Sequence, residues 1–158
     1  MDLMQVGAVW LHTVAFVIAW GYYGILARMI LPGLAGTLDL AGQTRTLAAI
    51  ERRALPYVLL AVALFFVTGT YLLVTAPEYT GLGDISTTWS ALILVKHMLV
   101  AGLVGLGFLI DYLIRGAAEA QADEDRAHDL RWVGLAADGA TGLGALIALA
   151  TVAAQLAA

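Results

Sequence analysis

The sequence predicts an all-α fold: an integral membrane bundle of four helices that run alternately up and down, with both termini on the outer (periplasmic) side. Of the 158 residues, 61% are hydrophobic and only 13% are charged, which is too apolar for an ordinary water-soluble domain. A helix needs roughly 20 apolar residues to cross about 30 Å of hydrocarbon. Four stretches are long enough: residues 4–31, 54–76, 90–114 and 132–156.

Little of the chain lies outside these stretches. We therefore expect residues 1–158 to form a single transmembrane four-helix domain, with no room for a soluble catalytic domain. The first stretch is longer than the apolar region of a signal peptide and has no positively charged start, so we expect it to be retained as helix one. The sequence contains no cysteine, which excludes thiolate metal sites and covalent haem attachment.

The connections between the helices differ in charge. The second connection, residues 77–89, carries Glu78 and Asp84, whereas every basic residue except Lys96 lies in or beside the first and third connections. Because short loops rich in arginine remain in the cytoplasm, we expect the first and third connections to be inside and both termini outside. This pattern indicates a multi-pass protein of the cytoplasmic (inner) membrane of a bacterium or archaeon.

Chain-breaking and solvated residues separate the helices. Helix three is followed by an acidic and mixed run, residues 119–129, which we expect to be a solvated connection. Helix one is followed by residues that favour turns, and these are Pro32, Gly33, Gly36 and Gly42.

Local spacing predicts a cap and two ion pairs. Thr87 and Thr88 precede the interfacial Trp89, a pattern typical of a helix start at the membrane surface. Near the inner ends of the helices, Arg115 follows Asp111 by four residues, the spacing of a helical ion pair. We also expect Asp138 of helix four to lie within reach of Arg28.

His12 and His97 are the candidate functional residues, in helices one and three, which cross the membrane in the same direction. At 1.5 Å per residue, they lie roughly 10 Å and 12 Å inside the outer ends of their helices. A single neutral histidine in a bundle can simply bond a backbone carbonyl, but ionisable residues inside membranes are costly and usually functional. A pair at one level predicts two axial ligands of one metal, above all the iron of haem b. We interpret His128, in the acidic run, as a solvated residue.

Three further residues are predicted to contact the cofactor. Lys96 is a cation in an apolar helix, where a charge costs about 2.5–3.5 kcal/mol on insertion scales. It would either meet the haem propionates or extend to the outer headgroups. Trp20 lies on the face of helix one that carries His12, and Gly105 on the face of helix three that carries His97. A large aromatic and a small residue would then flank a porphyrin.

Short motifs in three helices resemble those of known membrane families. Helix one contains Trp10-Leu11-His12, Ala19-Trp20-Gly21 and Arg28-Met29-Ile30-Leu31-Pro32, helix two contains Thr68-Gly69, and helix three contains Leu94-Val95-Lys96-His97-Met98-Leu99-Val100. The helix-one motifs resemble the first helix of CopD-like membrane proteins and of HemJ-type protoporphyrinogen oxidases, and those of helices two and three resemble CopD-like proteins. The resemblance implies a four-helix membrane unit associated with haem b or copper, with His12 and Lys96 as the matching family residues. It admits protoporphyrinogen oxidation, although the Leu-Pro-Arg-Leu-Phe stretch of HemJ-type enzymes is absent.

Several functions remain open. Two histidine ligands would leave the iron no free position, which favours electron transfer over catalysis at the metal, with a quinol or a periplasmic redox protein as partner. The main alternative is copper binding or transport, in which Met4 or Met98 joins His12 and His97 as a soft ligand. A third is a non-catalytic subunit of a larger membrane complex. We expect membrane lipid around the helices, a homodimer through small residues of helix four, and no nucleic-acid partner.

Overall fold

Four long helices make up almost all of the chain in the computed structural model, which describes residues 2–81 and 85–157. Residues 82–84 of the second connection, including Asp84, lie outside the described residues. The helices are α1, Leu3–Ala35; α2, Leu40–Val74; α3, Thr88–Glu119; and α4, Asp123–Ala157. Each is long and apolar enough to cross a membrane, as in a multi-pass membrane protein. The all-helical fold and its four candidate membrane helices are thereby confirmed.

The helices extend well beyond the apolar stretches, so their predicted bounds were wrong. The largest differences are at the starts of α2, Leu40 instead of residue 54, and α4, Asp123 instead of residue 132. Each of these helices has 35 residues and is about 52 Å long, far more than the roughly 30 Å of a hydrocarbon core. Apolar composition ends with the hydrocarbon, whereas the backbone hydrogen bonds of a helix can continue into water.

Side-chain caps fix the starts of α1, α2 and α3, with Asp2 as the cap of α1. The carboxylate of Asp39 accepts a hydrogen bond from the backbone N–H of Gly42 at 2.8 Å, so Gly42 lies in the first turn of α2 and does not break the chain. At α3, Thr87 and Ser90 form a reciprocal capping box. The predicted cap at Thr87 is confirmed.

The acidic run after α3 is largely exposed, as predicted for a solvated segment, but the prediction of a connection was wrong because residues 123–129 are helical. The first turn of α4 contains Asp123, Glu124 and Asp125. Negative side chains at a helix N-terminus interact favourably with the helix dipole, which explains why the helix starts there. The connection between α3 and α4 is reduced to residues 120–122.

A π-helical segment, Leu26–Ile30, interrupts α1 near its end. In a π-helical turn the N–H groups bond the carbonyls five residues earlier, as the N–H of Leu31 does with the carbonyl of Leu26. Helical structure therefore continues through Pro32 and Gly33 to Ala35, and the helix ends at Gly36, another of the predicted breaking residues. Arg28, within this segment, forms the predicted ion pair with Asp138 of α4 at 3.0 Å.

The helices pack with their neighbours in sequence. The most extensive contacts are between α3 and α4 and between α1 and α2, while α1 with α4 and α2 with α3 close the ring. α1 and α3 are thus diagonal partners. Only a narrow core is fully buried, including Leu26, Leu47, Ile110 and Val133, and many large apolar side chains are exposed. Such an apolar exterior is unusual in a soluble monomer and suits lipid as the solvent.

Candidate cofactor site

A cavity of about 380 Å³ lies at the end of the bundle where α1 and α3 begin and α2 and α4 end. All four helices contribute to its walls, and His12, Lys96 and His97 are among its lining residues. The volume falls within the roughly 300–1,000 Å³ of small-molecule sites. The structure therefore brings three of the five predicted site residues to one cavity.

The ring of His12 is held by α2 through its Nδ1 atom. Nδ1 is 3.1 Å from the carbonyl oxygen of Phe65 and 3.0 Å from Oγ1 of Thr68. The Thr68 hydroxyl donates its own proton to the carbonyl of Leu64 at 2.6 Å. Because the Phe65 carbonyl can only accept, Nδ1 of His12 carries the proton. Its Nε2 then keeps a free lone pair.

The position of the His12 ring is also fixed by packing. The ring stacks on that of Phe65, with centroids 4.1 Å apart and planes 18° apart. On α2, a Cβ added at Gly69 would lie 2.9 Å from Cε1 of His12, closer than van der Waals contact allows. Only glycine leaves room for the imidazole in this place.

His97 presents its ring in the same tautomer. Its Nδ1 lies 2.6 Å from the carbonyl oxygen of Ile93, one turn earlier in α3, and a carbonyl again requires an N–H donor. No described residue hydrogen-bonds the Nε2 atom of His12 or His97. His97 is exposed, so it lines the cavity where the cavity opens to the surroundings.

Lys96 gives the cavity a positive charge. It is half-buried, lines the cavity and lies within electrostatic range of His12. None of the ion pairs among the described residues involves Lys96, and the cavity lining contains no Asp or Glu. The cavity therefore has a cation that an anionic group of a ligand could neutralise.

Trp20 and Gly105, the other two predicted site residues, lie outside this cavity. The indole Nε1 of Trp20 donates to the carbonyl of Thr141 in α4 at 2.9 Å, and its ring lies directly against Gly144. Gly105 is exposed, with no atom within 4 Å of a Cβ placed there. The rotation of α3 turns Val100 and Leu103 inward and leaves Gly105 on an outer face.

The remaining candidate ligands do not line the cavity. His128 is exposed on α4, with its ring centroid 6.3 Å from that of Trp132. Met4 and Met98 are 67% and 68% exposed, and neither lines the cavity. Within the described part of the chain, no group of three or more His, Asp or Glu residues could hold a metal ion.

The structure also contains a buried acidic residue, Glu51, that the sequence did not single out. The apolar stretches placed it in the first connection, beside Arg52 and Arg53. In the structure Glu51 is 6% exposed and accepts a hydrogen bond from the hydroxyl of Tyr22. One feature of the sequence could have revealed it. Residues at helical spacing continue the buried face of α2 beyond the apolar stretch. That face consists of Thr44, Leu47, Glu51, Val58, Ala61 and Thr68.

No protein-family model, curated protein or solved structure matches this chain. The donor atoms, the cavity and its charge are therefore the observations from which a function can be inferred.

Proposed function

We propose that the protein is a b-type haem-binding membrane protein that transfers electrons, with His12 and His97 as the two axial ligands. The observation that carries this proposal is the shared state of the two imidazoles. Each donates its Nδ1 proton to a backbone carbonyl, each leaves Nε2 free, and both line one cavity. Metal-binding histidines commonly have their second nitrogen held in this way.

The donor set fits haem better than a bare metal ion. A porphyrin supplies four nitrogen ligands itself, so the protein has to add only the axial ones. Copper(I) prefers soft ligands such as thiolates and thioethers beside imidazole, and the two candidate methionines lie outside the cavity. When bound, haem would supply one-electron redox chemistry.

The rest of the cavity suits a flat, apolar ligand with acidic groups. Its walls include the aromatic side chains of Phe65, Phe66 and Trp89, which provide apolar surface for a macrocycle. Lys96 supplies a cation for the propionate carboxylates. If His12 and His97 both held the haem iron, it would have no free position for a substrate, which is why we propose electron transfer and not catalysis.

The resemblance to CopD-like and HemJ-type proteins supports the same assignment, because it implies a four-helix membrane unit associated with haem b or copper. We further propose that the cavity lies near the outer face of the cytoplasmic membrane of a bacterium or archaeon, the orientation that the arginine distribution favours. A quinol in the membrane or a redox protein in the periplasm would then exchange electrons with the site.

Haem titration of the purified protein in detergent tests this function. Wild-type protein should develop a sharp Soret band with one equivalent of haem, and alpha and beta bands on reduction. His12→Ala and His97→Ala should each weaken or change these bands, while His128→Ala, the matched control outside the cavity, should leave them unchanged. A wild-type protein that binds Cu(I) stoichiometrically but not haem would favour the copper alternative and overturn the proposal.

A further inference from the structure

Polar side chains from two helices, α1 and α3, gather around Glu51 of α2, away from the cofactor cavity and toward the end of the bundle that carries most of the arginines. Tyr22 of α1 donates its hydroxyl to the Glu51 carboxyl. Tyr23 of α1, and Asp111 and Arg115 of α3, lie within electrostatic range of Glu51. We propose that Glu51 is a proton-exchange site, which binds and releases a proton from the water at the arginine-rich end with Tyr22 as its hydrogen-bond donor.

The first argument is the lack of a cation for Glu51 itself. Arg115, which interacts electrostatically with Glu51, is already paired with Asp111, whose Oδ1 lies 3.0 Å from Nε of Arg115. Among the described residues no ion pair includes Glu51, although its side chain is buried. Leaving a buried carboxylate without its own countercharge is strongly unfavourable, so a bound proton is the simplest way to neutralise it. The Tyr22 hydroxyl can donate to the carboxyl group in either state.

The second argument is access to water from one side. Glu51 precedes the apolar stretch of α2 by three residues, and the adjacent Arg52 and Arg53 are exposed. On α3, the side chain of Asp111 is 21% exposed and that of Arg115 is 65% exposed. This ion pair lies within electrostatic range of Glu51 and is partly exposed, so water can approach the polar groups around Glu51 from this end.

The third argument is that this access to water stops at Tyr23. Its hydroxyl lies directly against the backbone of Gly107 in α3, and its side chain borders a small void of about 30 Å³. The other residues around this void are apolar, and they include Phe65 and Val100, which also line the cofactor cavity. A water needs two to four polar partners, and the void offers only one hydroxyl. Glu51 should thus exchange protons with one end of the bundle only.

Infrared spectroscopy of the purified full chain, in H2O and D2O over a range of pH, tests this site without haem. Wild-type protein should show the carbonyl stretch of a protonated carboxylic acid that disappears at higher pH and shifts in D2O. The band should be missing in Glu51→Gln and present in Glu119→Gln, the matched control, since Glu119 is exposed at the same end of the bundle. In Tyr22→Phe the band should move to higher frequency, because its carbonyl loses a hydrogen bond.

Three results would overturn the proposal. They are the absence of any such band in folded wild-type protein, a band that persists in Glu51→Gln, and a band that does not shift in D2O. Should Glu51→Gln fail to fold, Tyr22→Phe still decides the assignment, because only a Glu51 band depends on the Tyr22 hydroxyl. An unchanged band in folded Tyr22→Phe would therefore contradict the proposal as well.

Discussion

The rings of His12 and Phe65 are stacked at 4.1 Å, and the backbone carbonyl of the same Phe65 accepts the Nδ1 proton of His12. One residue of α2 thus fixes both the plane and the tautomer of an imidazole on α1. The neighbouring Thr68 adds a second acceptor for the same proton. A ligand held in this way is oriented before its metal arrives, which is the role that outer partners have around many metal sites.

Replacing Gly69 by alanine should displace the His12 ring. The added Cβ would lie 2.9 Å from Cε1, and overpacking of this kind typically costs about 1–3 kcal/mol. We expect weaker haem binding in a spectroscopic titration. Gly105→Ala is the matched control, since a Cβ there meets no atom within 4 Å. Equal haem affinity in the two variants would show that the His12 ring is not confined by Gly69.

Replacing Thr68 by valine should lower haem affinity, because the His12 Nδ1 proton loses one of its two acceptors. Loss of an outer partner typically reduces metal affinity about 10–100-fold. Thr68→Ser keeps the hydroxyl and should retain most of the affinity and the reduction potential of the wild type, both measured by spectroelectrochemistry. If Thr68→Val and Thr68→Ser behave alike, the hydroxyl does not support the ligand.

Lys96→Gln should weaken haem binding if the ammonium group meets a propionate. A hydrogen bond to a charged group contributes about 1.5–3 kcal/mol, which corresponds to roughly tenfold in affinity or more. Haem dimethyl ester, whose carboxylates are blocked, provides the control, because Lys96→Gln should bind it as well as the wild type does. If Lys96→Gln bound both haems equally weakly, or bound both as well as the wild type does, the result would favour a lysine that extends to the headgroups.

Gly144→Ala should destabilise the bundle itself. Trp20 lies directly against Gly144, so a methyl group there would push the indole away and stretch its hydrogen bond to Thr141. We expect a loss of about 1–3 kcal/mol in the free energy of unfolding, measured by denaturation in mixed micelles. Gly142→Ala, on the same helix with open space around it, should not be destabilised. Similar stabilities for both variants would contradict this packing.

Features that depend on composition and local spacing could be predicted from the sequence. Four helices follow from four apolar stretches. The Arg115 ion pair with Asp111, observed at 3.0 Å, follows from a spacing of four residues. The Thr87 cap likewise depends only on its own neighbours. Each of these is decided within a few residues of chain.

Features that depend on how each helix is rotated could not be predicted. Gly105 is spaced from His97 by about two helical turns, which predicted a shared face, but it lies on an outer face. The contacts between α3 and α4 decide which side of α3 is inward. Trp20 follows His12 along α1, yet its indole turns toward Thr141 of α4. The burial of Glu51 could not be predicted, because the length of an apolar stretch does not indicate where neighbouring helices cover a polar turn.

Electron paramagnetic resonance of the oxidised, haem-loaded protein is the most direct test that His12 and His97 bind one iron. We predict the low-spin ferric signal of two imidazole ligands in the wild type. Either single alanine variant should convert it to a high-spin signal, and His128→Ala should not change it. A high-spin wild-type signal, or a low-spin signal that survives unchanged in His97→Ala, would contradict ligation by both histidines.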